Sequence, residues 1–374
     1  MAVKPRSTIR SARRRSAKPP RRAANDRLRV GVIGAGGIGR VHLQGWKQLQ
    51  DAGEVEILCV GDIDREAADR RAADFNLPRA VYSADDVLAM TPDIVDVILP
   101  NRAHCAATVA SLRAGCHTLC EKPLALNAKE IRKMIAAAQA SGKLLMTAQH
   151  MRFEPESLAL KQYIDTGAMG EVYYVHAHWL RRRAVPARPS FYQKRFAGGG
   201  PTIDLGVHML DLLMWLVDNF EPVSVTGVTP RMLGHRKGLR GLWGPWDPAR
   251  FDVEDFGSAF VRFANGLAIV VEVSWLSNIS ETESRRAMLL GTQSGVTYPE
   301  LRISGEQYGN LIDSQLVHLP PGKGHQNELR AFCKAVRDGG PSPVPPTQSL
   351  QVARILEGWY RSHELGREVR LAKT

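Results

Sequence analysis

Two stretches of the chain bring together side chains that can move a proton. In Gly198-Gly199-Gly200-Pro201-Thr202-Ile203-Asp204-Leu205-Gly206-Val207-His208, Asp204 and His208 stand four residues apart, with Asp211 one turn further on. That is the spacing of one helical face. Pro201 suits a helix start, and the glycines permit a tight loop ahead of it. A carboxylate one turn from an imidazole fixes its tautomer and tunes its basicity. The plainer alternative is a structural histidine. A metal would need a third ligand, and no cluster of His, Cys, Asp or Glu at ligand spacing accompanies the pair, so no metal is expected. The second stretch is Cys120-Glu121-Lys122-Pro123, directly after a short apolar run. A lysine placed there can reach a substrate oxygen, with Pro123 fixing the chain direction. Its plainer alternative is an exposed charge pair.

A third motif would hold a ligand rather than transform one. Gly34-Ala35-Gly36-Gly37-Ile38-Gly39 is a G-x-G-x-x-G that closes one apolar run and opens a helical one, with Asp62 at the end of the next apolar run. Gly34 allows the tight turn, Gly36 lets the backbone approach a pyrophosphate, and Gly39 lets helix and strand pack closely. The helix start at Gly37 and Ile38 offers free N–H groups and positive dipole to phosphates. Asp62 would accept hydrogen bonds from adenosine ribose hydroxyls and repel a 2′-phosphate, so NAD is expected over NADP. Arg65 is the nearby residue able to spoil that preference.

These residues need elements to position them. From Leu28, short apolar runs alternate with helical stretches up to Thr147: strands near 28–34, 55–60, 93–99, 118–120 and 144–147, helices near 38–49, from 65, 103–114 and 128–140. Continuous apolar strands separated by helices predict a parallel sheet covered on both faces, an α/β half. After His150 the alternation stops. Runs at 172–179, 223–228, 257–263, 267–275, 287–290 and 296–303 read as strands with few helices between them, and Asn265-Gly266 is a strong hairpin signal. The second half is therefore expected to be α+β with a large, mainly antiparallel open sheet. The Trp- and Pro-containing loop from Leu233 to Arg250 is either a lid or a packed surface loop. A last helix near 349–365 is expected to be capped by Thr347 or Ser349.

Composition bounds the rest. A chain of 374 residues, 44% hydrophobic and 24% charged, is a folded protein of about two domains rather than a disordered chain or fibre. Its longest apolar run, Leu212 to Val217, is too short for a membrane span. Five cysteines, an odd number without C-x-x-C pairing, point to a reducing, cytoplasmic setting. The net charge of +12 suggests nucleic acid until it is located. Residues 1–26 carry nine cations and one anion, leaving only +4 for the remaining body. Those residues read as a disordered basic extension, 27–149 as a dinucleotide-binding domain and 150–374 as a second domain. Neither a membrane nor a nucleic-acid partner is expected.

The succession Gly34-x-Gly36-x-x-Gly39, Pro100-Asn101-x-x-His104, Glu121-Lys122-Pro123 and Gly198-Gly199-Gly200-x-x-x-Asp204-x-x-x-His208 resembles the Gfo/Idh/MocA family, the group of glucose–fructose oxidoreductase and inositol dehydrogenase. The likeness runs from Leu28 to Val369. It implies an N-terminal Rossmann domain and makes 150–374 a substrate-binding and oligomerisation domain, with an open sheet whose outer face forms a homodimer or homotetramer. By resemblance, Lys122, Asp204 and His208 form the catalytic set. Lys122 would bind the reacting oxygen and the nicotinamide ribose. His208 would take the hydroxyl proton, and Asp204 would orient His208 or the substrate. Asn101, His104, Glu121 and Arg152 match positions near the nicotinamide half of the cofactor. The implied activity is hydride transfer between NAD and a secondary alcohol or ketone of a sugar, sugar derivative or cyclitol. The alternatives are an NAD-dependent glycoside-cleaving enzyme of the same fold and a non-catalytic cofactor- or sugar-binding regulator. The basic run from Arg181-Arg182-Arg183 to Lys194-Arg195 is either an anion site or solvated surface.

Overall fold

Residues 27–372 are described in a computed structural model; the expected basic extension, 1–26, lies outside the described residues. The first half runs β1 (Leu28–Ile33), α1 (Gly37–Asp51), β2 (Val55–Gly61), α2 (Arg65–Asp74), β3 (Ala80–Val81), α3 (Ala84–Ala89), β4 (Ile94–Val97), α4 (Asn101–Arg113), β5 (His117–Glu121), α5 (Ala128–Ser141) and β6 (Leu145–Ala148). The six strands pair in parallel in the order β3-β2-β1-β4-β5-β6. All four residues of β4 and of β6 are buried, as helices on both faces require, which is why these strands read as mainly apolar runs, with Asp96 the one charge among them. Strand order reverses between β1 and β4, and ligands bind outside the carboxyl ends at such a point. The glycine loop, Asn101 at the start of α4 and Lys122 just past β5 all lie at that end.

A 3₁₀ turn (His150–Phe153) and α6 (Pro155–Asp165) lead to β7 (Val172–Arg181), then to α7 (Pro189–Tyr192), α8 (Lys194–Ala197), α9 (Pro201–Asp204) and α10 (Gly206–Leu216). There follow β8 (Pro222–Val228), β9 (Phe256–Phe263), β10 (Ala268–Ser274), β11 (Glu283–Gly291), β12 (Ser294–Tyr298), β13 (Arg302–Gln307) and β14 (Asn310–Gln315). The chain ends with α11 (Gly324–Asp338), α12 (Pro346–Leu365) and β15 (Val369–Arg370). Nine strands form one sheet in the order β14-β13-β12-β11-β7-β10-β9-β8-β15, antiparallel except for β7 beside β10. Alternate residues of β7, β9 and β10 join one core with α10 and α12: Val175, Ala177, Val261, Val271 and Val273 meet Leu210, Leu213, Leu356 and Trp359.

The hairpin at Asn265-Gly266 forms as expected, with Gly266 at φ +92° and Phe263 N–H bonded to Leu267 O at 2.9 Å. Several expectations need correction. The run 296–303 is two strands, because the chain reverses between Tyr298 and Arg302 through Leu301 at φ +56°. β14 is polar and largely exposed, so it has no apolar signal to find. α12 begins at Pro346 and has no side-chain cap; Ser349 instead meets Thr147, hydroxyl to hydroxyl, at 2.8 Å. α11 had not been expected, and it packs on the first half. Leu329, Phe332 and Cys333 join the core of β1 and α1, and a Cβ on Gly45 of α1 would lie 2.6 Å from Leu329 Cδ1. Residues beyond 150 thus help build the first core.

Candidate active site

The cradle after β1 shows why its glycines are there. A Cβ on Gly34, itself at φ +120°, would lie 2.0 Å from Ile98 O, and one on Gly39 would lie 2.3 Å from Gly34 O. Both positions are places where backbone touches backbone. Gly36 and Gly37 face open space apart from the Arg188 guanidinium, and α1 has no side-chain cap, so its first N–H groups stay available. Asp62 accepts from Ala35 N–H at 2.8 Å and from Asp64 N–H at 3.0 Å, which holds the carboxylate at the rim of this cradle. Arg65 stacks over Tyr82 at 4.3 Å. These residues fit the adenosine and diphosphate portions of a dinucleotide.

Opposite the cradle, Lys122 Nζ donates to Asp204 Oδ1 at 2.8 Å and to Asp204 O at 3.2 Å, joining the end of β5 to the end of α9 across the cleft. Trp275 Nε1 donates to the other carboxylate oxygen at 3.1 Å. Burial works against the charge of Asp204, but Lys122, Arg181 and Trp275 together hold its pKa below the usual carboxylate value. The expected pairing of Asp204 with His208 does not form. α9 stops at Asp204 and α10 starts at Gly206, so one continuous turn does not join them, and the Lys122 cation claims the carboxylate.

His208 is 4% exposed, and its Nδ1 meets no hydrogen-bond partner among the described residues. Its ring is held by rings instead: His150 edge-on at 5.0 Å and Trp179 at 5.9 Å, with His150 in turn stacked on His325 at 3.9 Å. Burial first, then Lys122, His150, His325 and Arg181, push the His208 pKa well below its ordinary value. A neutral imidazole beside a lysine ammonium is an arrangement for accepting a proton.

Glu121 lies beneath Lys122. Its Oε2 accepts from Lys122 N–H and its Oε1 pairs with His42 Nε2, both at 2.9 Å. Burial opposes its charge, yet the hydrogen bond and charge of His42, with Lys122 and His325, hold its pKa down at about 2. His42 Nδ1 pairs with Asp96 Oδ2 at 2.9 Å, and Trp46 Nε1 donates to the same oxygen at 2.6 Å. Burial works against a charged His42, but Asp96 and Glu121 raise its pKa well above normal. This buried carboxylate–imidazolium–carboxylate unit fixes the Lys122 loop from below. Sequence reasoning passed over His42, although Asp96 inside an apolar strand was a visible signal: a charge in a doubly covered strand must find a buried partner.

Of the other expected cofactor contacts, Asn101 sits at the start of α4 and donates to Ala197 O at 2.9 Å. His104 is wholly buried, its nitrogens against Leu99 O at 2.7 Å and Pro123 O at 2.8 Å, so it ties two loops together and has no nitrogen left for a ligand. Burial lowers its pKa against the pull of those two carbonyls. Arg152 is 1% exposed and makes a two-pronged pair with Asp211, both bonds 2.6 Å, plus a 2.7 Å bond to Gln348 Oε1. Its guanidinium is consumed, which removes it from the cofactor set.

The basic run does not converge on one anion site. Arg181 donates to Glu283 Oε1 at 2.8 Å, Arg183 binds Ser277 O at 3.1 Å, and Arg195 binds Gln193 Oε1 at 3.1 Å. The 233–250 loop packs on itself, with buried Trp246 donating to Gly234 O at 2.7 Å. Among the described residues no three His, Cys, Asp or Glu side chains gather as a metal site, and no helix is long and apolar enough to cross a membrane.

A doubly wound dinucleotide-type domain whose cleft joins a lysine, a carboxylate and a neutral histidine defines a class: an oxidoreductase that works with a bound nicotinamide cofactor. The profile of the Gfo/Idh/MocA oxidoreductase family, NAD-binding Rossmann fold, matches residues 28–149, and that of the family's C-terminal domain matches residues 157–297. The chain belongs to the Gfo/Idh/MocA family. It is 31% identical to D-glucoside 3-dehydrogenase of Escherichia coli (strain K12), over 92% of this chain and 97% of that protein. It is 34% identical to inositol 2-dehydrogenase of Pseudomonas fluorescens (strain SBW25), over 84% of this chain and 89% of that one. The crystal structure of GenD2 from gentamicin A biosynthesis, in complex with NAD, superimposes with a TM-score of 0.76 at 26% identity, covering 96% of this chain and all of that one. Levoglucosan dehydrogenase, in complex with NADH and levoglucosan, shares the fold with a TM-score of 0.82 at 23% identity, over 93% of this chain and 100% of its own.

Proposed function

We propose that this NAD-dependent oxidoreductase transfers a hydride between nicotinamide and a secondary alcohol or ketone of a sugar, sugar derivative or cyclitol. The observation that carries this reading is the 2.8 Å pair of Lys122 and Asp204 beside a histidine held neutral. Bound NAD supplies a hydride acceptor at nicotinamide C4. Lys122 spends two of its three N–H donors on Asp204, and the third donates to the reacting oxygen. His208 accepts the proton of the substrate hydroxyl as the hydride leaves the same carbon. Asp204 positions the ammonium of Lys122 rather than the imidazole. Gly34, Gly36, Gly37, Ile38, Gly39 and Asp62 hold the adenosine and diphosphate side, while Asn101 and Glu121 stand near the nicotinamide side. In this reading residues 27–149 form the cofactor domain and 150–374 the substrate domain, with α11 lent to the former. The relatives named for glucoside and inositol dehydrogenation support the substrate class. The chain works in the cytoplasm as a homodimer or homotetramer joined through the outer face of the nine-stranded sheet.

The test incubates the protein with NAD and a panel of glucosides, free sugars, uronates and cyclitols, following reduced nicotinamide by absorbance and products by chromatography. Reduced nicotinamide in step with substrate loss is expected. Glycoside cleavage without net reduced nicotinamide would move the protein to the glycoside-cleaving class, and binding without turnover to the regulators.

A further inference from the structure

Arg188 lies between β7 and α7, in the second half of the chain, yet its guanidinium rests on the glycine loop of the first. Its Nη1 stands 3.7 Å from where a Cβ on Gly36 would lie, and its Nη2 stands 3.7 Å from the same point on Gly37. Among the described residues no carboxylate, carbonyl or ring is recorded as its partner. The first turn of α1 presents uncapped N–H groups and the positive end of a fifteen-residue helix. Arg188 is exposed, so water serves its donors in the open cleft; an anion placed between its guanidinium and the N-terminus of α1 would be held from both sides. Other arginines of the same stretch do have partners: Arg181 pairs with Glu283, and Arg183 with Ser277 O and Asn278.

We infer that Arg188 binds the diphosphate of the cofactor from the side opposite the glycine loop, so that the substrate half of the chain closes over the bound dinucleotide. This rests on the proposed placement of the dinucleotide at Gly34–Gly39. The segment bearing Arg188 is already fastened to the cofactor half further along, where Asn101 Nδ2 donates to Ala197 O at 2.9 Å and Arg102 stacks on Phe196 at 4.5 Å. A planar fork of donors suits two phosphate oxygens, and its charge complements the N–H groups that face them. The partner is thus a diphosphate, and the adenine and nicotinamide rings are irrelevant to it.

The experiment measures dissociation constants of NADH, by its fluorescence, and of ADP-ribose, by calorimetry, for wild type, Arg188→Ala, Arg188→Lys and the control Arg182→Ala. Loss of a charge-assisted hydrogen-bonding group predicts affinities about 10- to 100-fold weaker for both ligands in Arg188→Ala. Arg188→Lys should recover part of the loss, Arg182→Ala should match wild type, and the difference from wild type should shrink as salt is raised. An unchanged ADP-ribose constant in a folded Arg188→Ala protein, with wild type binding normally, overturns the role of Arg188 and leaves the dehydrogenase reading standing. A wild-type protein that binds neither ligand overturns both.

Discussion

In the proposed reaction a single imidazole, His208, takes the proton. His208 has no carboxylate partner; burial among positive neighbours lowers its pKa and keeps the ring neutral, and packed rings hold it in place. As the general base, its removal in His208→Ala should lower kcat by about 10²–10⁴ with little change in the dissociation constant of NADH. A purely structural histidine would instead lower the melting temperature while the surviving folded fraction kept its turnover. The pH dependence has a definite sign. Because the folded pKa lies well below 6.5, the ring stays able to accept a proton as pH falls through 6.5, and the acid limb of kcat/KM should sit clearly lower. The unfolded ring takes its proton near 6.5, so its contribution to stability is complete above that pH and declines below it. Asp62 carries a separate prediction. Asp62→Ala should weaken NAD use roughly tenfold or more and raise the NADP-to-NAD ratio of kcat/KM, since both the ribose acceptor and the repelling charge are lost. An unaltered ratio would remove Asp62 from the cofactor site.

Elements meet here through buried polar pairs as well as apolar faces. The 3₁₀ turn after β6 is bolted to α10 by Arg152 and Asp211, and to α12 by Arg152 and Gln348. Burial pushes the Asp211 carboxyl up while the guanidinium pulls it down, so removing the arginine strands an acid in the core. Arg152→Ala should cost about 3–5 kcal/mol of stability in chemical denaturation. The folded remainder should bind NADH with unchanged affinity, because Arg152 faces its partners and not the cleft. A cofactor contact would show the reverse pattern, weaker NADH binding at near-normal stability. Gly45 does comparable work between α1 and α11, where any side chain would meet Leu329.

At the scale of the whole molecule, the outer face of the nine-stranded sheet is left without a covering layer among the described residues. On the strands β7, β9, β10 and β11, alternate side chains enter the core, while Tyr174, Phe260, Val270, Met288 and Leu290 stand on the outer face only partly buried. Met288, 41% exposed, lies among them. The same face also carries His176, His178, Glu272 and Arg286, and it is the face through which the proposed oligomer would form. Met288→Lys should shift the mass measured by light scattering towards the monomer, with NADH affinity retained because the cleft lies on the opposite side of the sheet's core. An unchanged mass would place the contact between subunits elsewhere, or show that the chain acts alone.

Read by itself, the sequence determined the local and periodic features. Apolar runs alternating with helices dictate a parallel sheet, Gly34, Gly36 and Gly39 dictate a phosphate turn, and Asn265-Gly266 dictates a hairpin, because each depends on neighbours a few residues away. Lys122, Asp204 and His208 were legible as a set through a family resemblance. Their partners were not. Asp204 chose Lys122, 82 residues distant, over His208; Arg152 chose Asp211; His42 and Asp96 met from separate elements; and α11 crossed back to the first core. Spacing along a helix says which residues share a face, but a buried charge goes to the strongest opposite charge that the fold brings within reach, and only tertiary structure decides which one that is.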